Sequence, residues 1–463
     1  MDLSRGKMPE TSRSERVSTR LRRVAQLARQ DPRMVFTTLA HHIDVDFLHE
    51  AVNATRKDGA AGIDGRTAEE YAAKIDDNLR SLLERFQSGG YHAPPVLRVN
   101  IPKGDGRKTR PIGIPTYEDK LLQRAVAMVL EAVYEQDFLT CSYGFRPDRS
   151  AHQALARLWE GLTAMRGGWV VELDIQSFFD TLDHRHLRSF LDQRVRDGVI
   201  RRAIDKWLSA GVLEGDRLHR PEGGTPQGGV ISPLLANIYL HVVLDEWFTT
   251  AIQPRMRGES FLVRYADDAV LVFAREDDAR RVMSVLPKRF ERFGLTLHPD
   301  KTKLVRFQQP PFGWSPGDIR PARARAFEPP ETFELLGFTH YWGRTRRGGW
   351  ALKRKTAKTR LRRAARAINL WLRTHCHLPI AEQQAKLSLK LRGHWGYYGI
   401  TGNYRMLARF QTLVTRLWRK WLNRRSQKAA LTWARFTRIL KRFPLPKPVV
   451  IHSVFTGAAR PIA

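Results

Sequence analysis

Apolar and polar positions along the chain change period several times. In "VRYADDAVLVF", Val263 to Phe273, alternation up to Tyr265 and the unbroken apolar run after Asp268 read as two strands joined by a tight turn. Asp267 and Asp268 fall at or beside its tip. "GWVVELDI" reads as a short apolar strand closed by Asp174, and helical patterns such as "KLLQRAVAMVLEAVYEQDF" alternate with these strands, so the middle of the chain is mixed α/β. Further on, Leu361, Ala365, Ile368 and Leu372 recur at helical spacing, with Lys355, Lys358, Arg362 and Arg366 on an adjoining flank. A second helix puts Leu407, Phe410, Val414, Leu417, Trp418 and Trp421 on one face and Arg409, Arg416, Arg419 and Lys420 opposite. The Pro-rich stretch "QQPPFGWSPGDIRPARARAFEPP", Gln308 to Pro330, resists helix and sheet and marks an inserted loop or boundary. Internal repeats and long low-complexity tracts are absent.

Composition narrows the class. A chain of 463 residues has room for two to four domains. Its 79 Lys and Arg against 47 Asp and Glu leave a formal charge of +32, which calls for a polyanionic partner, nucleic acid first. From Tyr341 to Ala463 there are 29 Lys and Arg and one acidic residue, Glu382, so nearly all of that charge lies in the last quarter. Surfaces that only need solvation interleave signs, whereas a single-sign face is the footprint of phosphate binding. Two distant cysteines, Cys141 and Cys376, give no disulfide framework and fit a reducing compartment. No run is long and apolar enough to span a bilayer, and Asp2, Glu10 and Glu15 weigh against a transit peptide in the Arg- and Ser-rich start. A soluble cytoplasmic protein with a basic N-terminal arm is expected.

The acids decide the chemistry. A lone Asp-Asp pair in a turn is explained by the fondness of Asp for turns, and a strand ending in Asp is a common event. Their combination is more telling. Joining a nucleotide to a 3′-hydroxyl uses two divalent cations about 3.5 to 4 Å apart. Hard carboxylate oxygens on adjacent strands suit Mg²⁺, which keeps part of its shell for water and phosphate. An acid at a strand end, followed some ninety residues later by an acid pair at a hairpin tip, is the layout of a palm-type polymerase.

At these residues the chain resembles a family. "RYADDAV" is similar to the catalytic box of reverse transcriptases, and further boxes match in order: "IPKGDGRKTRPIGIPTYEDKLLQRAV", "SYGFRPDRSAH", "LDIQSFFDTLDH", "GTPQGGVISPLLANIYL", "LHPDKTKLVRF" and "ELLGFTHYWG". Together they resemble the reverse transcriptase/maturase proteins encoded by bacterial group II introns, and "LRGHWGYYGITGNY" resembles the maturase segment. The likeness runs from about Asp58 to the end of the basic quarter.

The resemblance implies roles at matching positions. Asp174, Asp267 and Asp268 would be the catalytic carboxylates and bind two Mg²⁺ ions, with Mn²⁺ as a substitute. Lys103 and Arg110 would meet the incoming triphosphate. Gln227 would line the nucleotide pocket, and Gly228 and Gly229 would let backbone approach closely. Phe179, or else Phe178, would pack under the sugar and disfavour a 2′-hydroxyl. Tyr265 would face the primer end. Lys301 would protonate the leaving pyrophosphate as a general acid or contact phosphate. Lys355, Lys358, Arg362, Arg366, Arg392 and Arg409 would bind RNA. The family often carries a bulkier residue where this chain has Ala269. His375, Cys376 and His377 stand in a row with no second cluster to complete a zinc site.

The expected fold is α+β, a right-hand polymerase followed by a helical thumb/maturase domain. The segments are a basic arm (1–50), fingers and palm (51–307), the Pro-rich loop (308–330), the end of the palm with thumb and maturase domain (331–430) and a basic tail (431–463). The expected function is an RNA-directed DNA polymerase of a group II intron, a retroelement nucleotidyltransferase that also binds its intron RNA to assist splicing and mobility. Its partners would be intron RNA, an RNA template with DNA primer, deoxynucleoside triphosphates and a DNA target, with no membrane, in a bacterial cytoplasmic ribonucleoprotein. Lacking the Cys pairs of an HNH-type endonuclease, the chain is not expected to cleave the second strand itself. The rivals are a free-standing reverse transcriptase for defence or repair and a non-catalytic RNA-binding splicing factor.

Overall fold

The computed structural model describes residues 10–102, 109–214, 217–219, 224, 228–312, 314, 328–345, 347–425 and 430–453. Lys103, Gln227 and most of the Pro-rich stretch lie outside the described residues. The strands in chain order are β1 (Val96–Pro102), β2 (Thr109–Ile114), β3 (Gly167–Leu173), β4 (Val212–Glu214), β5 (Arg217–His219), β6 (Ser260–Tyr265), β7 (Asp268–Phe273), β8 (Lys303–Gln308), β9 (Phe333–Leu335), β10 (Phe338–Arg344) and β11 (Trp350–Thr356). Among the described residues they form three sheets, ordered β2-β1-β4-β5, β6-β7-β3-β8 and β11-β10-β9, among many helices, so the fold is mixed α+β. None of the described helices is long and apolar enough to cross a membrane.

The chain divides into two compact units. The first comprises Met1–Ala154, Leu173–Leu271 and Asp277–Lys303. Its centre is the Tyr117–Tyr134 helix, whose Leu121, Leu122, Ala125, Val126, Val129, Leu130 and Val133 are all buried. A helix apolar over so much of its circumference cannot face water and must be surrounded. The Glu10–Gln30 and Val45–Asn53 helices pack on it. Thr116 starts it by accepting from the Asp119 N–H, which satisfies one of the orphan donors of the first turn. β1 and β2 pair antiparallel from Leu97↔Ile114 to Pro102↔Thr109, and β1 pairs parallel with β4 at Val96↔Val212.

The second unit comprises Leu155–Glu172, Val272–Glu276 and Leu304–Ala463. Its helices Lys358–Thr374, Ile380–Tyr398, Tyr404–Asn423 and Trp433–Arg442 enclose a core of Leu372, Leu391, Trp395, Phe410, Trp418 and Phe436. Gln383 is wholly buried in it. Its amide donates to the carbonyls of His375, Cys376 and Leu378 and accepts from Trp418 Nε1, which fixes the turn between the first two helices. β10 and β11 pair antiparallel, with His340 opposite Arg354. Arg354 Nη1 donates to the Leu155 carbonyl at 3.1 Å, and Trp159 Nε1 donates to that of Leu352 at 3.2 Å.

Two histidines of this unit are held neutral. His340 is fully buried and stacked on Phe333 with ring centroids 4.7 Å apart, and burial, with the nearby Arg354 charge, pushes its pKa down to about 3. His394 stacks on Phe410 at 4.2 Å, and burial lowers it to about 4. The unfolded chain takes up protons at these positions as pH falls through about 6.5 while the folded unit refuses them until about 3 to 4, so stability is lost in that window. Only Trp207 and Trp247 of the 12 tryptophans belong to the first unit, so tryptophan fluorescence reports chiefly on the second. We expect the urea midpoint read by fluorescence to drop between pH 7 and pH 5, and to drop less in the double variant His340→Leu/His394→Leu. An equal drop in both proteins would assign the acid sensitivity to other groups.

Candidate active site

β6 and β7 form the expected hairpin, joined by Ala266 and Asp267, with Asp268 as the first residue of β7. Ala266 has φ +57°, a left-handed conformation that costs a residue with a Cβ roughly 1 kcal/mol or more. The surroundings enforce it. Arg264, fully buried in β6, donates to the Ala266 carbonyl at 3.1 Å and to Asn237 Oδ1 at 2.9 Å. The rest of its guanidinium grips the fully buried Asp245 with two bonds, 2.7 and 2.5 Å. Burial alone would lower the Arg264 pKa, but the Asp245 charge and hydrogen bonds raise it above its ordinary value. Asp245 comes from a π-helical segment, His241–Ile252, whose Val242 and Val243 carbonyls accept from the Arg289 guanidinium.

The segment "SYGF" buttresses the other side of the turn. Tyr143 N donates to the Arg264 carbonyl and Arg264 N to that of Cys141, so this stretch runs beside β6. A Cβ on Gly144 would lie 2.3 Å from Ala266 N, so only glycine allows this contact. Asn237 Nδ2 donates to the Gly144 carbonyl at 2.7 Å and closes the ring of contacts.

Asp174 follows the last residue of β3. β3 and β7 are neighbours, and a Cβ on Gly168 would lie 2.6 Å from the Phe273 carbonyl oxygen. The start of β3 is therefore beside the end of β7, the strands run in opposite directions, and their other ends bring Asp174 towards Asp267 and Asp268. The "LHPDKTK" stretch lies alongside: Gln176 N donates to Thr296 O, and His298 N to Asp174 O at 2.8 Å. That register delivers Lys301, whose Nζ lies 3.0 and 3.1 Å from the two Asp174 oxygens. Among the described residues no three His, Cys, Asp or Glu side chains form a ready cation site. The donors nonetheless suit a hard cation, and the Lys301 ammonium on Asp174 shows that positive charge is accepted there.

Other expected site residues take varied positions. Gly228 has φ +119°, and a Cβ there would meet the Gly113 carbonyl oxygen at 2.4 Å, so its backbone lies directly on β2. Arg110 is exposed on β2, opposite Ile101. Phe178 is buried beside Tyr239, whereas Phe179 is half-buried. Tyr265 is partly exposed, 6.4 Å from the ring of the exposed Phe145.

In the second unit, the Lys358–Thr374 and Tyr404–Asn423 helices and β11 enclose a cleft of about 930 Å³. Its floor includes Leu361, Ala365, Met406 and Leu413, and Lys355, Lys358, Arg362, Arg409 and Arg416 line it. Four of the six expected RNA-binding residues thus share one cleft. Arg366 and Arg392 are exposed on helices but are not among its lining. Trp395 is core, and Tyr404 is exposed.

Sequence reasoning missed Arg264, Asp245, Asn237 and Gly144. The available signal was a single Arg inside the apolar run "FLVRYA", where a strand facing a core can hold a charge only if a partner meets it. Removing one partner of such a pair strands the other. Arg264→Leu should cost about 3–5 kcal/mol, whereas Arg264→Leu/Asp245→Leu should cost clearly less. Urea denaturation followed by far-UV circular dichroism checks this, and equal losses in the two variants would refute it.

Comparison with known proteins gives the chain's family. A family profile described as reverse transcriptase (RNA-dependent DNA polymerase) matches residues 101–340, which contain all three acids. The group II intron-encoded protein LtrA of Lactococcus lactis subsp. cremoris is 36% identical over 225 residues, 48% of this chain and 37% of that protein. Protein YkfC of Escherichia coli (strain K12) is 34% identical over 328 residues, 62% of this chain and 84% of that protein. A 91 kDa protein in the cob intron of Schizosaccharomyces pombe is 32% identical over 246 residues, 52% of this chain and 30% of that protein. The match thus spans little more than a third of LtrA and most of YkfC. With the profile covering half its length and YkfC matched over most of its own, this chain belongs to the reverse transcriptase (RNA-dependent DNA polymerase) family.

Proposed function

We propose that the protein is an RNA-directed DNA polymerase of a group II intron, which extends a DNA primer on an RNA template and also binds its intron RNA to assist splicing. The observation that carries this reading is the approach of Asp174 to the Asp267–Asp268 turn within the matched region. On this reading residues 51–307 are fingers and palm, and 331–430 complete the palm and form the thumb and maturase domain of a right-hand polymerase.

Asp174, Asp267 and Asp268 would hold two Mg²⁺ ions, which when bound would neutralise the triphosphate and ease loss of the primer hydroxyl proton. Lys301 pairs with Asp174 and has a flexible stem on which to swing to a phosphate oxygen. Arg110, with Lys103, would bind the triphosphate. The Gly228 backbone, with Gln227, would border the nucleotide, and Tyr265 would meet the primer end. Phe179 rather than the buried Phe178 would pack against the sugar.

The basic cleft of the second unit supports the RNA partnership. Among the described residues its lining includes no aromatic side chain, which favours phosphate contact over base stacking. The relatives named for introns point to intron RNA as the ligand.

Primer extension on an RNA template tests the enzyme. Asp267→Ala should reduce incorporation by about 100-fold or more, since direct ligands outweigh the supporting partners whose loss costs 10–100-fold. Equally low incorporation by wild type and variant would end the polymerase reading. For the cleft, Arg362→Ala and Arg409→Ala should each weaken binding of structured RNA and reduce the slope of log K against log salt by about 1. An unchanged slope would remove the cleft from the interface.

A further inference from the structure

Among the described residues of the first unit, Asp119 and Asp197 are buried acids with no ion pair; Asp197 accepts from four backbone N–H groups, whereas Asp119 meets side chains. Asp119 is 2% exposed, and its side-chain bonds are to neutral groups: it accepts from Tyr91 OH, from Trp207 Nε1 at 2.7 Å and from Gln123 Nε2 at 3.0 Å. Burial pushes its pKa up to about 6, with the three donors pulling the other way, so above pH 7 it is a carboxylate and can only accept. A buried charge without a counter-ion costs stability, and a neutral side chain of similar size would pack there more cheaply.

What the carboxylate supplies is direction. Gln123 stands one turn further along the same helix and is also buried, at 3% exposed. A glutamine amide presents a donor end and an acceptor end and can flip between them. Beside Asp119 only the donor end can face inwards, so Oε1 must point away. It accepts from the Ile231 N–H at 3.3 Å. Ile231 is the N-cap of the Ser232–Leu240 helix, where backbone donors have no partner within the helix, and it follows Gly228 and Gly229. Gly229 and Ile231 line a small cavity with Asp119, Gln123 and Trp207, and its volume of about 10 Å³ is at the lower limit for a single water. The direct Gln123 bond is thus the hold from this side, while the Gly228 backbone is seated on β2.

We infer that Asp119 is a positioning residue: by fixing the sense of the Gln123 amide it sets the Gly228–Ile231 backbone, and through it the affinity for the incoming nucleotide. The last step rests on the proposed function, which puts Gly228 against that nucleotide.

The test is an exchange of partners. In Asp119→Asn the new amide presents a donor to Gln123, whose amide must then turn a donor towards the Ile231 N–H. In Asp119→Asn/Gln123→Glu the asparagine donates to the new carboxylate, whose other oxygen accepts from Ile231, so the original pattern returns with the charge moved one link along. Two quantities are read on the full chain at pH 8: hydrogen exchange of the peptide containing Ile231, and KM and kcat for a deoxynucleoside triphosphate in primer extension. Asp119→Asn should speed the exchange and raise KM about five- to tenfold, the equivalent of one hydrogen bond, with kcat within about twofold. The double variant should return both towards wild type. If Asp119→Asn does not fold, Gln123→Leu, which leaves Tyr91 and Trp207 on Asp119, carries the same expectation. Unchanged exchange and KM, or equal losses in single and double variants, would overturn the inference. Should wild type fail to extend a primer, the proposed function falls, while faster exchange in Asp119→Asn and its recovery in the double variant would still uphold the positioning of Gly228–Ile231.

Discussion

The buried pair of Arg264 and Asp245 is the interaction on which the acid turn depends. A charge inside a strand is affordable only because a second charge and a fork of hydrogen bonds meet it there. That fork also reaches the carbonyl of Ala266, so it holds a residue in a conformation that its Cβ disfavours. The π-helical winding that presents Asp245, the Arg289 contact to its carbonyls and the seat of Gly144 against the turn all serve one geometry. Strain at Ala266, next to the carboxylates, is thus secured by a desolvated charge bonded to its carbonyl.

The two units handle charge differently. In the first, buried cations are matched internally: Arg146 by Glu135, Arg194 by Asp137 and Arg264 by Asp245. The long C-terminal part of the second has almost no acids with which to do the same. Apart from Arg354, buried and bonded to the Leu155 carbonyl, its described cations are at least partly exposed, and the helices are held by an aromatic and aliphatic core with Gln383 as a polar pin. Such a surface carries a standing cost of self-repulsion that a polyanion relieves.

Periodic features were legible in the sequence. The hairpin around Asp267, the strand ending before Asp174 and the helices through Leu361–Leu372 and Leu407–Trp421 all stand where apolar spacing puts them, because the helices bury one face and the strands nearly every position. Partnerships across long separations were not. Lys301 meets Asp174 from 127 residues away, Gln123 meets Ile231 from 108, and β1 takes β4 as a parallel neighbour. Each follows from a tertiary register that leaves no local period. The acids were therefore visible as a set, but the groups that orient them were not. Among the cations of the last quarter, spacing alone could not tell the cleft-lining Arg362 from Arg366, one turn away.

The second unit draws in Leu155–Glu172, long before its main body begins at Leu304. Arg354 finds its acceptor at Leu155, and Leu352 receives the Trp159 indole, across 199 and 193 residues. On a ribosome, the early segment must therefore wait, its apolar side chains uncovered, until roughly two hundred more residues have been made. Such non-local closure is slow and leaves apolar surface open to wrong associations. The order of synthesis thus leaves the partners of this early segment unmade until the main body of the second unit has emerged.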